Sequence, residues 1–300
     1  VFFLYTDLQS HPQSQQDATF RGLGHVDSHK DVLVVTLELT KPPEPDNVEV
    51  HHEKSGRSRK KRPSSHKRDL MGMDIEVQIA QDKTALRSRK GDTGSVVWKA
   101  SVDFGHLILQ NVHFPTHNIC PLFDYAKLKK SHVLELGYIS ILSGTGLLSV
   151  LLSPLVQKYT ATDIEDLIPL IQKNLDLNLS ANSNVNAAPL DWLVIQKTTS
   201  KMRSQHFSFD SIDLLLIVDC IYHPSLLPAL LETIDYLAIP GLTTVLVVVE
   251  LRADDVIREF LDRWLKMACW TIWRVGGGDG CLMGRPYVLW VGVKRSQVYV

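Results

Sequence analysis

Apolar and polar positions follow two different patterns along the chain. Asp31–Leu39 and Met73–Ala80 are rich in β-branched or alternating apolar residues, which predicts two half-buried strands that pair as a hairpin. From about residue 133 onward, short continuous apolar runs alternate with amphipathic stretches. That second pattern is typical of a buried, mostly parallel sheet covered by helices, so the fold class is predicted to be α/β.

The second pattern divides into a regular series of elements. Strands are predicted at Val133–Gly137, Tyr159–Thr162, Asp210–Val218 and Thr243–Glu250, and helices at Ile164–Asn178, Pro224–Leu237 and Asp254–Ala268. Two final strands, Trp270–Val275 and Tyr287–Lys294, have no helix between them, which predicts an antiparallel edge. An earlier helix, capped by Ser95, is predicted to carry an apolar face of Val96, Val97, Ala100, Phe104, Leu107 and Ile108.

A polar, basic segment separates the two strands of the hairpin. Residues 41–69 are rich in Pro, Ser, His and basic side chains, and we expect them to form a disordered loop. Its basic part, residues 54–68, is interpreted either as a nuclear import signal or RNA-contacting arm, or as a solvated insertion. The predicted division is an N-terminal β extension at 1–85 and a larger domain at 86–300.

Composition narrows the classes of function. The formal net charge of −1 gives no sign of a polyanion-binding protein. Four cysteines without a C-x-x-C pair and scattered histidines predict no metal site, and they favour reduced thiols in an intracellular protein. No apolar run reaches the length of a membrane span, and Val1–Tyr5 has no basic leader, so neither a membrane segment nor a signal peptide is expected.

The chemistry is concentrated between Val133 and Asp163. An apolar strand ends in Glu-Leu-Gly137, clustered glycines and a helical pattern follow, and a second short strand ends in Asp163. Glycines allow close approach of the backbone to a ligand, and an acid about twenty residues later can accept hydrogen bonds from ribose hydroxyls. The residues alone therefore predict an α/β fold that binds an adenosine-containing cofactor.

With residues 138–142 set aside, the segment Val133-Leu-Glu-Leu-Gly137 and Ser143-Gly-Thr-Gly146 resembles the cofactor motif of class I, seven-strand methyltransferases. Val218-Asp219-Cys-Ile-Tyr222 resembles the Asp-x-x-Tyr motif of the methyltransferase-like lysine methyltransferases. The resemblance to this family runs from about Ile75 to Lys294, and within the family the sequence is most similar to fungal ribosomal-protein lysine methyltransferases. The resemblance implies a Rossmann-like seven-strand sheet with an antiparallel last strand, and S-adenosylmethionine as cofactor. The five residues 138–142 depart from the motif, and we expect them to weaken cofactor binding.

The resemblance also implies roles for single residues. Asp219 is expected to hold the incoming lysine ammonium, and Tyr222 to bound the acceptor channel and favour a cation through its ring. Asp191 is expected to meet the adenine amine while Trp192 covers the adenine ring; the alternative is a turn aspartate beside a core tryptophan. The implied set of cofactor-binding residues is Trp98, Glu135, Gly137, Gly144, Gly146, Asp163, Asp191, Trp192 and Asp219.

The implied function is protein-lysine N-methylation, with a ribosomal protein or translation factor as the substrate. The protein is expected to be a cytoplasmic monomer. Nuclear import and RNA contact through the basic loop are further expectations. Two other classes stay open. A non-catalytic binding module of the same fold is favoured by the interrupted glycine motif. An oxidoreductase is disfavoured because an intact Gly-x-Gly-x-x-Gly is missing.

Overall fold

The computed structural model describes most of the chain. The described residues are 1, 3–6, 24–27, 29–42, 72–82, 96–116, 121–137, 145–276, 282–284 and 286–296. The basic part of the predicted loop, residues 54–68, and the motif interruption, residues 138–142, lie outside them. Among the described residues, no helix combines the length and the apolar character needed to cross a bilayer.

Nine strands form two sheets among the described residues. The small sheet is the antiparallel pair β1 and β2; the large one has seven strands in the order β5-β4-β3-β6-β7-β9-β8. β9 is antiparallel to both neighbours, whereas β3 to β7 are parallel to one another. The strand bounds are β1 Val32–Leu39, β2 Met73–Ala80, β3 His132–Leu136, β4 Lys158–Asp163, β5 Val185–Pro189, β6 Leu214–Val218, β7 Thr244–Glu250, β8 Trp270–Val275 and β9 Tyr287–Lys294.

Helices connect the strands and cover both faces of the large sheet. Their bounds are α1 Lys99–His113, α2 Tyr125–Leu128, α3 Leu147–Leu152, α4 Ile168–Asn178, α5 Trp192–Lys197, α6 Ser200–His206, α7 Leu227–Leu237 and α8 Asp254–Leu265. Short 3₁₀ turns precede α4 and α7. The α/β class and the seven-strand sheet expected from the sequence are confirmed.

Alternate residues of the central strands point into two different hydrophobic cores. In β6, Leu214, Leu216 and Val218 join the core under α1, α3 and α4, while Leu215 and Ile217 join the core under α5, α7 and α8. Both faces of the strand are therefore buried. This explains why the strand sequence is a continuous apolar run and not an alternating one.

The hairpin of β1 and β2 is joined to the sheet domain through one of these cores. Leu33, Val35 and Leu37 are buried in the core that contains Phe104 of α1. Asn174 of α4 adds polar contacts, because its side chain accepts from Ala80 N at 2.7 Å and donates to Ala80 O at 3.0 Å. The hairpin thus packs against α1 and α4 and stabilises their positions.

One local prediction is wrong. Helix α1 begins at Lys99, with Trp98 as its N-cap, and not at a Ser95 cap, because Trp98 is extended and Val97 and Trp98 pair with residues 24–26. The antiparallel edge predicted from the two final strands is confirmed: β9 lies between β7 and β8 and is antiparallel to both, so β8 is the outermost strand.

Candidate active site

Three buried carboxylates meet at the carboxyl edge of the large sheet. Glu135 lies in β3, Asp163 ends β4 and Asp219 follows β6, and none of the three is more than 2% exposed. Burial first, and then the charges of all three acids, raise the pKa of the Cys220 thiol. Three separate strands therefore bring the predicted acids to the edge where open α/β sheets bind ligands.

Glu135 is held by a tyrosine from the neighbouring strand. The hydroxyl of Tyr159 donates to Glu135 Oε2 at 2.8 Å. Burial raises the pKa of Glu135 to about 8, against the lowering effect of the Tyr159 bond, and the nearby charge of Asp163 adds to the increase. The carboxyl group of Glu135 is therefore largely protonated at neutral pH in the protein alone, and it can donate a hydrogen bond.

Asp163 is fixed where β4 turns toward α4. Its Oδ1 accepts from Ile164 N at 2.8 Å, and its carbonyl oxygen accepts from Leu190 N at 2.7 Å. The second bond ties the end of β4 to the segment that follows β5. The carboxylate is thereby positioned at the strand end, as the predicted ribose contact requires.

Gly137 follows β3, and a turn at Thr145 and Gly146 leads into α3. Gly137 N donates to Thr162 O at 2.9 Å, which extends the pairing of β3 with β4. Gly146 is the N-cap of α3 with φ of 69°, and a Cβ there would lie 3.1 Å from Ile171 Cγ2. A side chain at position 146 would be strained in both respects. Gly144, also predicted to bind the cofactor, lies outside the described residues.

Thr145 sits inside this turn with a buried hydroxyl. Its side chain is 1% exposed, and its Oγ1 has no hydrogen-bond partner among the described residues. Its carbonyl oxygen accepts from Asn174 Nδ2 at 2.8 Å. Because a buried hydroxyl without a partner is costly, the site suits a ligand with a polar group at this point. Apart from its place between two glycines, no sequence pattern singled out Thr145.

Asp219 is held by the backbone of Glu250 and the side chain of Arg252, at the carboxyl end of β7. Its Oδ1 accepts from Glu250 N at 3.0 Å, and its Oδ2 forms an ion pair with Arg252. Arg252 Nη2 also donates to Glu250 Oε2 at 2.6 Å. Burial raises the pKa of Asp219 to about 7, while Arg252 opposes that increase. Nothing in the local sequence links Arg252 to Asp219, because the two residues are 33 positions apart.

Trp98 contacts this ion cluster, and Tyr222 lies three residues after Asp219 in the chain. Trp98 is 1% exposed, and the Arg252 guanidinium carbon lies 4.9 Å from its ring centroid. Tyr222 is half-buried, packs against the same core as Trp98, and meets His223 edge-on with ring centroids 6.5 Å apart. Trp98 is therefore a core residue that also contacts Arg252 of the ion cluster.

Asp191 and Trp192 lie at the start of α5. Asp191 Oδ1 accepts from Leu193 N at 2.8 Å and from Val194 N at 3.3 Å, so it caps this helix. Trp192 is fully buried among the residues of the core under α7 and α8. This arrangement matches a turn aspartate beside a core tryptophan, and the cofactor contacts of both residues stay a prediction.

Other candidate sites are less developed. No group of three or more potential metal ligands lies together within the described ranges. A cavity of about 680 Å³, lined by His132, Lys158 and Asn184 among others, lies at the amino ends of β3, β4 and β5. It is at the opposite edge of the sheet from the three carboxylates.

Known proteins resemble the chain over different lengths. It is 35% identical over 190 residues to Schizosaccharomyces pombe diaminohydroxyphosphoribosylamino-pyrimidine deaminase, covering 62% of this chain and 41% of that protein. It is 32% identical over 124 residues to Xenopus tropicalis EEF1A lysine methyltransferase 3, covering 41% of this chain and 49% of that protein. It is 23% identical over 315 residues to Candida glabrata ribosomal lysine N-methyltransferase 5, covering 88% of this chain and 87% of that protein.

The chain spans less than half the length of the first two of these relatives. The model of one family, described as lysine methyltransferase, matches residues 77–266. That range includes the last four residues of β2, the turn at Thr145 and Gly146, all three carboxylates and the Arg252 ion cluster. Since the match covers more than half of the sequence, the chain belongs to the lysine methyltransferase family.

Proposed function

We propose that the protein is an S-adenosylmethionine-dependent protein-lysine N-methyltransferase. The observation that carries the proposal is the placement of Glu135, Asp163 and Asp219, from three neighbouring strands, at the carboxyl edge of the sheet. Family membership supports the same conclusion. The ribose hydroxyls of such a cofactor are donors that carboxylates at this edge can accept from.

The residues present fit such a cofactor. Gly146 at the start of α3 has a positive φ and places no side chain between the backbone and a ligand. Asp163 is suited to accept from two ribose hydroxyls, and the buried Thr145 hydroxyl is suited to a polar group of the ligand. When bound, S-adenosylmethionine supplies a methyl group on a sulfonium.

The acceptor side is built around Asp219 and Tyr222. Asp219 and Glu250 together carry one more negative charge than Arg252 neutralises, which favours the approach of a lysine ammonium. The lysine must lose a proton before it attacks, and a carboxyl with a pKa of about 7 is matched to accept one near neutral pH. Tyr222 bounds this region, and its ring favours a cation. In-line transfer otherwise needs alignment and exclusion of water.

The substrate class is proposed from two relatives. One is named for a ribosomal substrate and the other for EEF1A, which supports a ribosomal protein or a translation factor as the methylated partner. We further propose a cytoplasmic monomer whose basic residues 54–68 contact RNA near the substrate, with nuclear import as their alternative role. The charge of that segment supports the RNA contact.

Calorimetric titration with S-adenosylmethionine and with NAD tests the proposal. We expect binding of S-adenosylmethionine and none of NAD. Asp163→Ala should weaken cofactor binding by about 2 to 3 kcal/mol, because two hydrogen bonds to a charged acceptor are lost. Glu165→Ala, which removes an exposed acid two residues away, is the matched control and should bind like the wild type. Unchanged affinity in a folded Asp163→Ala protein contradicts the proposed site.

A second candidate is a non-catalytic binding module of the same fold. It is favoured by the five residues that separate Gly137 from Ser143 in the sequence. The same titration distinguishes the two functions. A folded wild-type protein that binds neither S-adenosylmethionine nor NAD supports the non-catalytic module.

A further inference from the structure

A short N-terminal segment, residues 24–27, is paired with the chain just before α1. Val26 N donates to Val97 O at 2.9 Å, and Lys99 N donates to Gly24 O at 2.7 Å. The ring of His25 meets the ring of Trp98 edge-on, with centroids 5.8 Å apart. These contacts join two parts of the chain more than seventy residues apart. They lie directly beside the ion cluster of Asp219, Glu250 and Arg252.

Arg252 is enclosed between this segment and Asp219. Its guanidinium carbon is 4.9 Å from the Trp98 ring centroid. A Cβ at Gly24 would lie 2.5 Å from Arg252 Nη2 and 3.1 Å from Trp98 Cε3, and φ at Gly24 is +76°. A side chain at position 24 therefore has no room and an unfavourable backbone conformation. Glycine is what lets the segment close over the guanidinium group.

The residue that Arg252 holds is under backbone strain. Asp219 has φ of 54°, and it is the one non-glycine residue with positive φ within the described part of the chain. Such a conformation persists when surrounding contacts fix it. Here the contacts are the ion pair with Arg252 and the hydrogen bond from Glu250 N at 3.0 Å.

We propose that residues 24–27, Trp98 and Arg252 form a clamp that holds the Asp219 carboxylate in place for methyl transfer, which makes Gly24 and Arg252 positioning residues of the site. The inference rests on the proposed function. Neither residue needs to touch the substrate. The clamp acts through Asp219 by fixing its oxygens, and a displacement of about 1 Å at a reacting centre can lower the rate about 100-fold.

The clamp also sets the charge of Asp219. Burial raises the pKa of Asp219, and Arg252 opposes the increase. The other ionisable groups that bear on Asp219 are Glu250, which shares Arg252, the adjacent Cys220, and Tyr287, whose hydroxyl donates to Asp103 at 2.8 Å. His25 lies on the far side of Arg252. Removing the guanidinium should therefore raise the pKa of Asp219 further.

The first test is Gly24→Ala beside Gly241→Ala. Gly241 also has a positive φ, of +74°, and a Cβ there would lie 3.0 Å from Ser296 Oγ, in the turn before β7 and away from the carboxyl edge. We expect Gly24→Ala to lower kcat at least about 10-fold, with the cofactor Kd little changed, and Gly241→Ala to keep the wild-type kcat. Hydrogen exchange of the Val26 and Lys99 amides reports whether the pairing is lost. Loss of that protection with wild-type kcat overturns the clamp.

The second test uses the pH dependence of two Arg252 variants. Arg252→Met should shift the acidic limb of the kcat/KM profile to higher pH by about one unit or more, and Arg252→Lys should restore part of the shift because it keeps the charge. A limb that does not move in Arg252→Met overturns the proposal.

A readout without turnover separates this inference from the proposed function. Carbon NMR titration of the Asp219 carboxyl, assigned with Asp219→Asn, should show a higher pKa in Arg252→Met than in the wild type. If the wild type transfers no methyl group but this shift is seen, the function fails and the ion-pair geometry stands. If the carboxyl titrates identically in both proteins, the clamp fails whatever the activity.

Discussion

At the scale of single residues, the site is defined by acids that burial makes hard to ionise. Glu135 is 1% exposed, and its pKa is raised to about 8, whereas the unfolded chain releases this proton near 4.5. Between those two pH values the folded state retains a proton that the unfolded state has lost. The contribution of Glu135 to the free energy of unfolding should therefore fall as pH rises from about 4.5 to 8.

Replacing Glu135 by glutamine tests this linkage. Glu135→Gln keeps an acceptor for the Tyr159 hydroxyl and removes the titrating group. Between pH 5 and pH 7.5 the wild type should lose more unfolding free energy than the variant, by about 3 kcal/mol. Urea denaturation of the cofactor-free protein at the two pH values measures both losses. Equal losses in the two proteins rule out a proton on Glu135 at neutral pH.

Sequence reasoning reached these residues unevenly. Glu135, Asp163 and Asp219 were predictable because each stands at or near the end of an apolar run, and strand ends meet at one edge of a parallel sheet. Gly24 and the partnership of Arg252 with Asp219 were not. Both depend on contacts between parts of the chain that are far apart in sequence, and no local pattern encodes such contacts.

At the scale of elements, β9 and α8 show how closely the outer layers pack. A Cβ at Gly292 of β9 would lie 2.3 Å from Trp264 Cζ2 of α8. Trp264 is fully buried and packs against Phe260 and Trp270, with ring centroids 5.4 and 5.7 Å away. The glycine therefore admits the indole ring to the surface of the sheet.

Gly292→Ala should destabilise the protein by about 1 to 3 kcal/mol, because the added methyl group displaces the Trp264 ring from a filled core. Trp264→Phe removes the atoms that clash with the added methyl group. Adding Gly292→Ala to Trp264→Phe should therefore cost less stability than Gly292→Ala costs in the wild type. Chemical denaturation of the four proteins gives the coupling. An unchanged midpoint for Gly292→Ala contradicts the packing described.

Strands that are buried on both faces could be predicted from the sequence, whereas a half-exposed strand could not. β6 and β7 were predicted from continuous apolar runs because both of their faces are buried. β5 was missed, since Val185–Pro189 is a half-exposed edge strand with small and polar residues. The start of α1 was misplaced because pairing with residues 24–26 keeps Val97 and Trp98 extended, a tertiary effect that outweighs local helix signals.

At the scale of the whole molecule, the sheet order brings the functional groups together. β3 lies between β4 and β6, and β7 follows β6, so Glu135, Asp163, Asp219 and Arg252 come from neighbouring strand ends. The alternation of strands and helices predicted the parallel sheet. It did not predict the insertion of β9 between β7 and β8, since chain order does not determine which strand of a final pair lies at the edge.

Transfer of a tritiated methyl group from S-adenosylmethionine to lysine is the most direct test of the proposed activity. The purified protein is incubated with labelled cofactor and a protein extract containing ribosomes and translation factors, and the labelled proteins are hydrolysed to amino acids. We expect radioactivity in methylated lysine with the wild type, and a large loss with Tyr222→Ala at saturating cofactor. A folded wild-type protein that binds the cofactor but leaves no label in methyl-lysine contradicts the account.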